Sequence, residues 1–181
     1  MPLYPSTTPP LFGPPDHNLA GWSYDPSAAQ GGTVLPTAGT LFLSKAKAVS
    51  PLITNVIIHV ASAGVTLTAN QCLAALFSSA GTLLSATADQ SAAWTSTGLK
   101  TMALLTPQTV PLGYVYVGFY ANGTTLPSLS RSGTVSALLA NAGLSAPSLR
   151  FASADAGLTT AMPGTLGAQT ASANTYWVGL S

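Results

Sequence analysis

"LGYVYVGFYANGTTLP", residues 112–127, alternates with the period of a strand yet is apolar on both of its faces. The pleat sends Val115, Val117 and Phe119 to one side and Tyr114, Tyr116 and Tyr120 to the other. One face is core. The tyrosine face then needs a partner of its own: another subunit, the docked N-terminal arm, or a ligand, because tyrosine suits all three with its apolar body and polar tip. On the subunit reading Tyr114, Tyr116 and the strand residue His59 are the oligomer-interface candidates. Asn122-Gly123 accepts positive φ, so the strand is expected to end there in a tight hairpin turn.

The same grammar runs through the chain on both sides of this strand. "TLFLSKAKAV" (40–49), "LITNVIIHVA" (52–61), "QCLAALFSS" (71–79) and "TLLSATA" (82–88) precede it, with "LKTMALL" (99–105) just before. "SLRFAS" (148–153) and "TYWVGL" (175–180) follow. Eight candidate strands between Gly, Pro, Ser and Asn clusters predict an all-β fold, an antiparallel two-sheet β-sandwich of jelly-roll type. "SSAGTLL" reads as a hairpin connection. One short helix is expected within "TVSALLANAG" (134–143), with Val135, Leu138 and Leu139 on one face and Gly143 as its C-terminal cap. The pairs Gly39-Thr40, Gly81-Thr82, Gly123-Thr124 and Gly164-Thr165 recur at near-regular spacing, but the residues after them do not match, so they read as turn chemistry and not as a repeat.

Residues 1–38 are punctuated by eight prolines and four glycines, a composition that favours an extended arm over regular ladders. The arm nevertheless carries Leu11, Phe12, Leu19, Trp22 and Tyr24. A solvated linker has no use for these side chains, so the arm is expected to anchor against its own domain, 39–181, or a neighbour's. The start, "MPLYPSTTPPLFGPPDHN", lacks a basic and an apolar region, so no signal peptide is expected.

Composition narrows the function classes. Of 181 residues, five are Lys or Arg and four are Asp, with no Glu, and the net charge is +1. That 5% charged fraction, against about 25% in an ordinary globular chain, cannot build the clustered basic footprint that nucleic acid requires. Lys45 and Lys47 are the one close pair. A 47% hydrophobic chain with mean hydropathy +0.41 should fold, and "LITNVIIHVASAGV" (52–65) is too interrupted for a membrane span. So apolar a surface near neutrality predicts a subunit of something larger. Cys72 stands alone and reads as a small buried hydrophobe.

The inventory for catalysis is thin. No nucleophile elbow, Walker loop, dinucleotide fingerprint or zinc spacing occurs. Neither metal nor cofactor is expected: Asp16-His17 point apart on an extended arm, and His59 reads as a hydrogen-bonded interface histidine. A polysaccharide hydrolase would need two carboxylates about 5–10 Å apart, for which Asp89 and Asp155 are the only pair outside the arm. Carbohydrate binding has better candidates: Trp94 beside Asp89 and Gln90 in "DQSAAWTSTG" (89–98), and Tyr120 with Asn122 and Arg131. Asn122-Gly123-Thr124 is formally a glycosylation sequon, outweighed by the hairpin reading.

The runs "LTANQCLAALFSSAGTLLSATADQSAAWTSTGLKTMALLTP" (67–107), "GYVYVGFYANGTTLPSLSR" (113–131) and "AGLSAPSLRFASADAGLTTAMPGTLGAQTASANTYWVGL" (142–180), led by "DHNLAGWSYDP" (16–26), resemble a family of small virion structural proteins of tailed bacteriophages infecting actinobacteria. The resemblance implies a non-enzymatic particle component located in the virion, made in the bacterial cytoplasm, trimeric, and partnered by other capsid or tail proteins. A tail-associated protein touching host-surface glycan is the first expectation and a head-decoration protein the second.

Overall fold

The computed structural model describes residues 12–181. All strand pairings in it are antiparallel, and they join twelve strands with one helical turn and three 3-10 turns. The strands are β1 (Gly21–Trp22), β2 (Gln30–Val34), β3 (Leu41–Ala48), β4 (Leu52–Ser62), β5 (Val65–Phe77) and β6 (Leu83–Ala86). They continue with β7 (Gly98–Thr109), β8 (Gly113–Thr125), β9 (Ser128–Arg131), β10 (Phe151–Ala154), β11 (Thr170–Ala171) and β12 (Val178–Leu180); α1 is Ala137–Ala140. Each of the eight expected stretches carries a strand, and the connection 78–82 is the expected hairpin, closed by Gly81 N–H to Ser78 O (2.9 Å).

The pairings do not separate into two sheets. From β4 they run through β12, β1, β3, β8 and β5 to β6, and a bridge between Thr87 and Leu104 passes from the end of β6 to β7, which pairs back onto β4. Inside this ring lies the larger core, with Phe42, Ile58, Leu76, Val117, Phe119 and Val178. Tyr176 sits among them, edge-on to Phe42 and Phe119, its hydroxyl donating to Val34 O (3.2 Å). Edge-to-face contact satisfies the ring quadrupoles while the hydroxyl finds its acceptor.

A second core lies outside the ring, on the other face of β3, β8 and β5. Leu41, Leu43, Leu73, Phe77, Tyr116 and Tyr120 are buried there beneath the chain between Pro147 and Leu166, which contributes Leu149, Ala152, Ala154 and Met162. Both faces of β8 are therefore core for most of its length. Tyr116 donates to Pro147 O (2.7 Å) and Leu149 O (3.0 Å), and Tyr120 donates to Thr159 O (2.6 Å). On the tyrosine face Tyr116 and Tyr120 are met by the chain's own C-terminal third, which carries apolar residues to bury against them, while Tyr114 stays exposed.

Three local expectations are corrected. β8 does not turn at Asn122-Gly123: Gly123 pairs with Leu67, and a Cβ on it would stand 2.9 Å from Thr66 O, so glycine serves close strand approach. Asn122 donates to Leu158 O (2.8 Å), tying the covering segment to the strand. The helix is a single turn capped by Ser136 at its start and by Asn141, not Gly143, at its end; Gly143 (φ +74°) lies in the turn that follows, and Leu138 and Leu139 point to solvent. The arm is no separate unit from residue 20 onward. β1 is inserted between β12 and β3, and β2 pairs with β9, so prolines bracket short ladders instead of forbidding them. Among the described residues, no helix is long and apolar enough to cross a membrane.

Candidate functional site

Where the covering segment stops, the outer face of the sheet is left open. Lys45 and Lys47 alternate with alanines along β3, so both project from this outer face. Register then builds two rows across neighbouring strands: Trp22, Lys47 and Tyr114 are successive partners on β1, β3 and β8, and Lys45 lies opposite Tyr116. Arg150 joins the second row because the Lys45 N–H donates to Arg150 O (2.7 Å). These rows floor a cleft of about 430 Å³ with Leu144 on its rim. Three of the five cations of the chain line it, and no carboxylate does.

Two of the three are held in place. The Lys45 ammonium donates to Ser148 O (2.9 Å) and lies 4.9 Å from the Tyr116 ring centroid and 5.9 Å from that of Tyr114. The Arg150 guanidinium lies 5.3 Å from the Phe151 ring and reaches Ser23 O (3.4 Å). Cation–π contact of this kind fixes the heads without neutralising them. Lys47 is exposed and has no side-chain partner among the described residues. Tyr114, 57% exposed, turns a ring face outward, and Trp22 is half-buried against His17 (5.4 Å between centroids). The arrangement can do two things chemically: stack a planar or pyranose face and pair a negative charge.

The residues expected to bind sugar are elsewhere and engaged in structure. Trp94 is fully buried in the ring core, its indole N–H without an acceptor among the described residues, so it offers no stacking face. It is drawn inward because Asp89 pins the loop, accepting from Ser91 Oγ and from the N–H groups of Ser91 and Cys72 (both 3.2 Å). Burial pushes the Asp89 carboxyl up, and these bonds, with one from the Asn70 N–H, outweigh it and hold it below the usual range. Tyr120 is buried, and Arg131 is turned onto Asn174 Oδ1 (3.3 Å) and Thr134 Oγ1 (3.1 Å). The exposed patch anticipated around Trp94 and Tyr120 is therefore not formed.

All four aspartates accept from main-chain N–H groups. Asp16 takes that of Gly13 (2.7 Å), Asp25 that of Ser27 (2.8 Å), Asp89 those of Cys72 and Ser91, and Asp155 that of Gly167 (3.0 Å). His59, expected at an interface, is half-buried with Nδ1 2.7 Å from Ser130 Oγ, on the wall of a second, apolar cleft beside Leu99 and Trp177. None of the four carboxylates bonds that dyad, so no triad is assembled among the described residues. No group of three metal-ligating side chains occurs among them either. Comparison with protein-family models, with curated proteins and with solved structures finds no match.

Of the anchoring residues, Leu11 lies outside the described residues and Phe12 is exposed. Leu19 and Trp22 are half-buried, and Tyr24 donates to Thr175 O (2.9 Å) while its own carbonyl accepts from Trp177 Nε1 (3.0 Å). Of the interface candidates, Tyr116 is internal and Tyr114 belongs to the cleft. Arg150 was not a candidate from the sequence, because its distance along the chain from Lys45 hides the pairing of β10 with β3.

Proposed function

We propose that the protein is a non-enzymatic binding subunit of a larger assembly, on the reading that its resemblance implies: a virion protein on the particle exterior, tail-associated, that touches the host surface. The observation that carries the binding part is the open cationic and aromatic cleft on a rigid sheet face, in a chain whose every carboxylate is used as a backbone cap. Binding sites are concave, few per protein and lined by apolar surface with a few placed polar groups, which describes this cleft. The continuous antiparallel sheet would present it on a stiff support.

The assembly part rests on the surface. Leu105, Leu112, Leu138 and Leu139 are each about two-thirds exposed or more, in a chain with almost no charge to keep copies apart. These residues favour the second reading, head decoration by a homo-oligomer, a trimer by the resemblance, over a solitary monomer. The test is direct. Fluorescently labelled full-length chain should bind intact actinobacterial cells saturably, in competition with unlabelled chain. Coating of phage heads with no cell binding would instead select decoration, and binding to neither would overturn both.

A further inference from the structure

We propose that the cleft between β1, β3, β8 and the 144–150 segment binds an anionic saccharide, a sugar ring carrying carboxylate or phosphate. The inference rests on the host-surface reading and names its ligand class. Charge is the first argument. In a chain with nine charged side chains, three cations from two separate stretches of sequence, Lys45 and Lys47 on β3 and Arg150 just before β10, meet at one cleft that no carboxylate lines. Folding brings Arg150 beside the two lysines against their mutual repulsion, and Lys47 has no side-chain partner among the described residues. An anion in the cleft would neutralise what the protein itself does not.

Shape selects the rest of the ligand. Trp22 and Tyr114 are register partners of Lys47 on either side, so the three residues form one row across three strands, with the backbones of the two aromatic residues about 10 Å apart and Lys47 between them. That spacing presents ring faces to two successive sugars and a charge to the substituent between them. The volume, about 430 Å³, is that of a small-ligand site and not of a macromolecular groove. A nucleic acid would call on more phosphate contacts than three cations supply, and the remaining two, Lys100 and Arg131, are turned onto their own loops.

Calorimetry on the full chain tests this with hexagalacturonate, a phosphomannan oligosaccharide, neutral maltohexaose, inorganic phosphate and oligothymidylate as probes. Binding of one of the two anionic oligomers is expected, weakened about tenfold by Lys47→Gln and by Tyr114→Ala and unchanged by Lys100→Gln. Tyr114→Phe should keep most of the affinity, since the stacking face survives. Affinity should also fall as salt is raised. The choice between uronate and sugar phosphate identifies the source of the charge. Equal binding of maltohexaose, binding of inorganic phosphate or oligothymidylate as tight as that of the oligomers, indifference to Lys47→Gln, or no binding at all would each overturn the proposal. Cell binding that persists in Lys47→Gln would overturn the ligand class while leaving the host-surface reading standing.

Discussion

The hydroxyls of Tyr116 and Tyr120 end on carbonyls of the covering segment, so each ring combines apolar burial with a directional bond. Tyr120→Phe removes only the bond and leaves Thr159 O unpaired, which should cost about 1 kcal/mol in urea unfolding. Tyr120→Ala also opens a cavity beneath the segment and should cost about 3–5 kcal/mol. A Tyr120→Ala protein as stable as wild type would mean that the segment is not packed there. Between the two tyrosines, Gly118 leaves space for the cover's partners: a Cβ would stand 2.8 Å from Phe77 Cε2 and 3.1 Å from both Leu41 Cδ1 and Leu43 Cδ2. Gly118→Ala should therefore destabilise by about 1–3 kcal/mol through overpacking, measurable as a lower melting temperature with an unchanged circular dichroism spectrum. At this scale the alternation of 114–120 is legible in the sequence, down to which residues share a face. What covers the second face is not, because Leu158 and Met162 lie in a stretch whose spacing follows neither a strand nor a helix, and the strand spacing at 148–153 does not say which sheet face it covers.

Elements with a full period of alternation are found where the sequence places them, and four of the shorter ones are not. β1, β2, β9 and β11 are two to five residues long, too brief for periodicity to register, and two of them lie in the proline-rich stretch. β1 is small but central: through Gly21 and Trp22 it joins β12 to β3 and closes the ring, and Ala20 adds N–H to Leu180 O (2.7 Å). Removal of residues 1–38 should therefore abolish folding, seen as loss of the cooperative unfolding transition, whereas removal of residues 1–11 should leave the transition in place. A folded 39–181 fragment would contradict this and restore the detachable arm. The same register explains why the cleft is hidden from sequence reading. Lys-Ala-Lys-Ala predicts two lysines on one face of β3, but Trp22 and Arg150 reach them only through long-range pairing with β1 and β10.

For the whole molecule, burial sets the response to pH. Desolvation pushes the Cys72 thiol up to about 11 and the Tyr120 hydroxyl up to about 12, and it raises Tyr24 and Tyr176 as well. The folded protein therefore holds these protons more tightly than the unfolded chain does. Stability from this source is whole below the ordinary cysteine value of 9.0 and is lost as pH rises toward 11–12. The urea midpoint should be lower at about pH 11 than at about pH 8, with Cys72 unreactive to a thiol reagent at the lower pH until the protein unfolds. An unchanged midpoint would mean that these groups are open to water. At this scale the composition, with few charges and no visible catalytic motif, is what suggests the binding or assembly role proposed above. It misled on location, because a low total charge conceals that most of the cations meet in one place. The measurement that bears most directly on that convergence is a ¹H–¹⁵N titration of the full chain with hexagalacturonate and with a phosphomannan oligosaccharide. With one of them, shifts confined to residues 21–23, 45–48, 113–116 and 144–151 are the predicted result. Shifts centred on the Asp89–Trp94 loop or on Arg131, or no shifts with either ligand, would contradict it.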